Sequence, residues 1–308
     1  MTTHYLGRVV LWMTGALLSF CVLAVSVRGL AGVLNIFEIL AVRSVVGLFI
    51  ISALLAVRPD LRAAIAARKL GAHLARNSIH FAAQWAWTLA ITLLPLATVF
   101  ALEFTMPAWT ALLAALLLGE KLTPSRLGVV VLGLAGVLII LRPGLESFQT
   151  TSLWVLAAAF GFAMSMILTK HLTATETTMS IVFWMNLMQL PMGLIGADSL
   201  LFPLRLGWEH VPAVLGMGIG SLAAHFCLSN AMRFGDASLV VPFDFLRIPL
   251  IALVGWWLYN ESLDLFVFIG ASVIIAGVLW NLRAESRRPA KDGALMAEAD
   301  RNAGAAGV

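Results

Sequence analysis

The chain has 308 residues, of which 61% are hydrophobic and only 12% charged, with a formal net charge of +4. A charged share about half that of a soluble domain excludes a single water-soluble core, which would need a charged shell. The positive balance does not point to nucleic acid either, because the basic residues sit in short segments between apolar runs and form no polar face.

Apolar runs long enough to span a bilayer predict about ten helices. The first five lie near 9–27, 36–57, 74–94, 97–118 and 125–141. The second five lie near 153–169, 180–201, 211–231, 238–259 and 264–282, the 180–201 run being interrupted by Pro191 and Gly193. The run after Arg8 has a counterpart in the second half, which makes it a structural helix and not a cleaved leader. Arg58, Arg62, Arg68, Lys69, Lys121, Arg126, Lys170 and the arginines after 282 all fall on one side of the predicted membrane. The other side has only Arg28, Arg142 and Arg205. The positive-inside rule then places both termini in the cytoplasm. The tail 284–308, polar and rich in Ala and Gly, is expected to be disordered.

The two halves repeat. A shift of 141 residues lays Glu103 on Asp244, Phe104 on Phe245, Glu120 on Glu261 and Ala135–Leu138 on Ala276–Leu279; a shift of 142 lays Trp12 on Trp154, Phe20 on Phe162 and Arg28 on Lys170. An odd number of helices per half forces the second copy to enter the membrane from the opposite side. The expected fold is therefore an all-α polytopic membrane protein of two inverted five-helix repeats, 1–145 and 146–283.

An ionisable side chain at membrane depth costs roughly 2.5–3.5 kcal/mol on insertion scales, so each one asks for a partner, a watery cavity or a function. Arg43 and Glu103 are both predicted about 9 Å from the same face, which permits an ion pair between them. Asp244 mirrors Glu103 across the midplane, and Arg247 is one turn beyond it on the same helix face. Arg247 is the first candidate to contact an anionic group on a solute, unless Asp244 merely neutralises it as a structural clasp. Glu103 is a candidate to take up a proton and couple the protein to a proton gradient; a clasp with Arg43 is the alternative. His80, Gln84 and Trp87 share one helix face and form a polar and aromatic wall, and His225 belongs to the same leaflet. Either histidine could instead serve as a hydrogen-bonded link between helices. Cys21 and Cys227 lie inside apolar runs, so neither a disulfide framework nor a metal site is expected. Glu120 and Glu261, at helix C-termini where the dipole disfavours them, are expected to have local donors.

The stretch 90–144 carries Leu94-Pro95-Leu96-Ala97, Pro107, Gly119-Glu120-Lys121-Leu122-Thr123 and glycines 128, 133 and 136. It resembles the EamA-type transporters of the drug/metabolite transporter (DMT) superfamily. Ala237-Ser238-Leu239-Val240-Val241-Pro242, Pro249 and Glu261-Ser262-Leu263 resemble that family's second copy, with Asn260 in place of the expected glycine. The resemblance spans 9–282. It implies inner-membrane transport of a small metabolite, such as an amino acid, nucleoside or vitamin, by alternating access, without ATP or a prosthetic group. Two other classes remain at this point. A membrane scaffold or sensor would need the intramembrane charges for stability alone. An intramembrane enzyme would need a compact catalytic set, which the sequence does not contain.

Overall fold

The computed structural model describes residues 3–65, 68–93, 99, 102–141, 150–259 and 265–305. The helices of the first half are α1 (Thr3–Leu30), α2 (Ile36–Val57), α3 (Leu70–Leu93), α4 (Met106–Leu118) and α5 (Pro124–Leu141). Those of the second are α6 (Ser152–Leu172), α7 (Thr178–Ile195), α8 (Val211–Phe234), α9 (Arg247–Tyr259) and α10 (Leu265–Ala305). Seven helical stretches among the described residues are long and apolar enough to cross a membrane, and α4 and α5 are shorter apolar helices. The absence of α3 from that set has a simple cause: His73, Arg76, Asn77, His80 and Gln84 make it the most polar of the inner helices. Those residues recur every three or four positions and face inward, with His73, Arg76, Asn77 and His80 all buried.

Helix contacts follow a two-fold rule. α1 packs on α8 and α3 on α6; α4 packs on α6 and α1 on α9; α2 packs on α8 and α3 on α7. Adding five to each label converts every member of these pairs into the other, and α2·α7 and α5·α10 convert into themselves. Two copies of one five-helix unit, related by a pseudo-two-fold axis, produce this pattern. The rings of Phe104 and Phe245, matched by the 141-residue shift, stack at 6.0 Å and 27°, so the axis passes between them.

Small residues permit the closest approaches, the usual device where lipid supplies no hydrophobic drive between helices. A Cβ on Gly136 would lie 2.7 Å from the Gly270 carbonyl, and one on Gly220 would lie 3.1 Å from the Ser19 carbonyl.

Three sequence expectations are corrected. The predicted 97–118 helix is interrupted by a turn at Phe104–Thr105: Val99, Leu102 and Glu103 are helical, and the regular helix resumes at Met106. The predicted 238–259 helix is a single turn at Ala237–Val240, a 3-10 stretch at Val241–Leu246, and then α9. Pro107, Pro242 and Pro249 account for both, since each removes a backbone donor and clashes with the preceding turn. The predicted 180–201 helix stops at Ile195, before the turn-forming Gly196-Ala197-Asp198-Ser199. The backbone of α10 is helical through Ala305.

The expected donor for Glu120 exists: its carboxylate accepts from Ala237 N at 2.8 Å, Ser238 N at 3.0 Å and Ser238 Oγ at 2.6 Å, capping the single turn. Beside it Arg126 donates to Asp236 at 2.8 Å, Glu285 at 3.0 Å and Ser238 at 2.7 Å. This network joins the start of α5, the chain before α9 and the far part of α10. Glu261, its repeat partner in sequence, lies outside the described residues.

A bulky substitution at the α5–α10 crossing should be felt directly. Gly136→Leu is expected to destabilise the protein by about 1–3 kcal/mol through overpacking, read as a lower melting temperature in detergent. Gly7→Ala, where a Cβ meets nothing within 4 Å, is expected to leave it unchanged.

Candidate functional site

The two helix breaks face each other across the axis and open a partly enclosed cavity of about 110 Å³. Its walls hold His80, Gln84 and Trp87 of α3, Glu103 before α4, His225 of α8, and Asp244 and Arg247 at the second break. Seven of the eight residues singled out from the sequence thus meet in one place; Arg43 stands behind the wall.

The charges pair differently from the expectation. Arg247 donates to Glu103 at 2.6 Å and also pairs with Asp244 at 3.1 Å. Glu103 accepts a second bond from Trp87 Nε1 at 2.6 Å. The expected Arg43–Glu103 pair is absent: Arg43 donates to Gln84 Oε1 at 2.6 Å and to Gln189 Oε1. Similar depth allowed Arg43 and Glu103 to meet, but the two-fold places the α4 break opposite the α9 break and not opposite α2. Each carboxylate also sits just before a helix N-terminus, Glu103 before Met106 and Asp244 before Arg247, where the helix dipole favours negative charge.

The guanidinium of Arg247 is held between two rings, 5.5 Å from the centroid of Phe20 and 5.1 Å from that of Phe104. Under the 141-residue shift Arg247 falls on Met106, so one repeat supplies the cation and the other a thioether at the same station. His80 and His225 meet edge to face at 5.0 Å, and Phe162 and Phe20 pack against them at 5.7 and 5.9 Å. Met13, Met106, Met166, Leu228 and Val241 complete the apolar lining and continue into the largest buried core cluster.

Sequence reading missed Gln189, Asn77 and Arg76, which extend the polar wall behind the cavity. Arg76 is 2% exposed and donates to Thr169 Oγ1 at 3.2 Å and Asn77 Oδ1 at 2.7 Å. Their signal was available as polar residues inside apolar runs. Phe20 and Phe162 were paired by the repeat, yet nothing marked them as lining. No cluster of three or more metal-ligating side chains occurs among the described residues.

Comparison with known proteins gives a consistent picture. The model of a family described as the EamA-like transporter family matches residues 7–142 and 149–283. A riboflavin transporter of Brucella anthropi is 31% identical over 238 residues, 75% of this chain and 83% of that protein. An S-adenosylmethionine uptake transporter of Rickettsia bellii is 27% identical over 219 residues, 71% and 75% of the two chains. One solved crystal structure, 19% identical, shares the fold with a TM-score of 0.76 over 92% of this chain and 98% of the other.

Removing Arg247 should leave two buried carboxylates facing each other. Arg247→Leu is expected to cost roughly 3–5 kcal/mol, as loss of one partner of a buried pair does. Adding Glu103→Gln and Asp244→Asn should restore most of the loss, as measured by thermal unfolding in detergent.

Proposed function

The chain belongs to the EamA-like transporter family and is a multi-pass membrane transporter of a small metabolite; we propose that it moves its solute through the central cavity by alternating access. The observation that carries the mechanism is the meeting of two interrupted helices at a shared ion cluster, Arg247 with Glu103 and Asp244. Broken helices at a repeat interface are a common way to build a transport site, because irregular backbone is tolerated at membrane depth only where it lines a cavity. In this reading the protein sits in the inner membrane as ten spans, two inverted repeats over 1–145 and 146–283, with both termini cytoplasmic. α3 is then a span in spite of its polarity, since its polar face is turned inward.

The Arg126 network then closes the cytoplasmic side in the conformation described here. Glu103 and Asp244 share one guanidinium, so one of them can accept a proton when the cavity opens to the acidic side. That gives the transporter a proton-coupling group without a cofactor. Because two relatives are named as transporters of riboflavin and S-adenosylmethionine, those two compounds are the first solutes to test. The family and these relatives point to transport and not to catalysis.

The test is mass spectrometry of cytosol and medium from cells expressing the protein at matched membrane levels. A solute should redistribute with the intact chain, and the shift should fall at least roughly tenfold in Arg247→Ala and Glu103→Gln. Redistribution that survives both substitutions would remove the ion cluster from the solute path.

A further inference from the structure

The chain between α7 and α8 differs in character from the chain that holds the same place in the first repeat. A shift of 142 residues lays Asn35, the N-cap of α2, on Thr177, the N-cap of α7. Each cap also ties its own repeat to the other. Asn35 Nδ2 donates to the Gly196 carbonyl just past α7 at 3.3 Å, and Thr177 Oγ1 donates to the Ala64 carbonyl in the stretch after α2. Both helices are followed by a short 3-10 stretch, Pro59–Ala64 in one repeat and Phe202–Arg205 in the other. The geometry repeats and the chemistry does not. Residues 58–69 carry Arg58, Asp60, Arg62, Arg68 and Lys69. Residues 199–208 carry a single charge, Arg205, which the buried carboxylate of Glu38 takes up. Their outward side chains are Leu200, Leu201, Leu204 and Trp208, 71, 67, 80 and 90% exposed. The first repeat builds this station with charges, so the fold itself does not demand an apolar surface there.

The neighbouring elements place that surface at the edge of the hydrocarbon. α7 has 18 residues, which makes it about 27 Å long against a hydrocarbon core of about 30 Å. Its last residue, Ile195, is 84% exposed, and the next apolar span starts at Trp208, a residue type that anchors at the membrane boundary. The backbone between them is suited to a place with little water, where each N–H needs a partner from the protein. Leu201 N donates to Ser199 Oγ, Phe202 N to the Ser199 carbonyl, Leu204 N to that of Leu201 and Leu206 N to that of Pro203, while Pro203 has no N–H to satisfy. On the opposite face Phe202 and Leu206 pack with Ile39, Val42 and Met217, so the segment has one side on the protein and one side free of it.

We propose that residues 199–208 form a lipid seat, lying along the bilayer interface on the face opposite the basic 58–69 loop, with Leu200, Leu201, Leu204 and Trp208 among the upper acyl chains. This goes beyond the transport reading and uses only its inverted spans. The Arg205–Glu38 pair and the Asn35–Gly196 bond fasten the seat to the start of α2, so contact with lipid sets the depth of the adjoining ends of α2, α7 and α8 together.

Nitroxide labels on single cysteines test the seat. The full-length chain, with Cys21 and Cys227 replaced, carries Leu201→Cys, Leu204→Cys or, in the matching loop of the first repeat, Ala63→Cys, and is reconstituted into vesicles of phosphatidylethanolamine and phosphatidylglycerol. All three positions are exposed, so the labels displace no core contact. Relaxation of each label by oxygen, which concentrates in hydrocarbon, is compared with relaxation by a water-soluble nickel chelate. The oxygen-to-nickel ratio at Leu201 and Leu204 is expected to exceed that at Ala63 at least about tenfold, because a polar chelate is expelled from the acyl region. A ratio no higher than at Ala63 would put the segment in water and overturn the proposal. Protection of both labels from both reagents would mean that a second copy or another protein covers the patch, and would overturn it too. Photolabelling of the unsubstituted chain by a phospholipid with a diazirine high on its acyl chain needs no variant: it should mark 199–208 and spare 58–64, and equal marking of the two would count against the seat. Solute redistribution in cells is a separate measurement, so the seat can fail while transport stands.

Discussion

The bond from Arg247 to Glu103 ties one half of the chain to the other at the axis that relates them. Glu103 belongs to the first repeat and Arg247 to the second, while Asp244, the repeat counterpart of Glu103, holds the same guanidinium from its own side. Three charges in an apolar interior persist only because each satisfies another and because rings and helix termini surround them. Moving any one would strand its partners in a low-dielectric site. That constraint fixes where the breaks of the fourth and ninth helices must face, and so where the cavity forms.

Around this cluster the molecule divides its labour by position. Prolines free the backbone at the two breaks, and paired glycines such as Gly136 and Gly270 let α5 and α10 cross closely. The polar face of α3 would be expensive against lipid. Here Arg43, Gln189, Thr169 and Asn77 satisfy it, and the face becomes one wall of the cavity. At one end of the bundle Glu120 and Arg126 bind the chain that leads into α9. A change there reaches the cavity through a short rigid segment. In the proposed transport cycle, two like halves rock about the shared ion cluster.

Much of this was legible in the amino-acid sequence, for reasons that can be named. Apolar run length gives helices, and the in-register match of Glu103 with Asp244 and Phe104 with Phe245 gives the duplication. Intramembrane polarity picks out seven of the residues that line the cavity. Pairing was not legible. Depth along the membrane normal places Arg43 and Glu103 at one level but says nothing about which helices are neighbours around the bundle. That information lies in the two-fold contact pattern. The breaks were half visible, since Pro107 and Pro249 marked the places but not the loss of regular helix over Asp244. Apolar lining residues such as Met13 and Met166 have no sequence signature that separates them from core.

A cysteine placed in the cavity shows whether it is the path of the solute. In a chain whose Cys21 and Cys227 are replaced, Met106→Cys puts a thiol at the station that mirrors Arg247. The measurement is the rate of its modification in intact membranes by a charged, membrane-impermeant thiol reagent, applied to each face in turn. Modification is expected from at least one face, slowed by the solute whose distribution the protein alters. A thiol that reacts from neither face, or at a rate that the transported solute does not change, would contradict a solute path through the cavity.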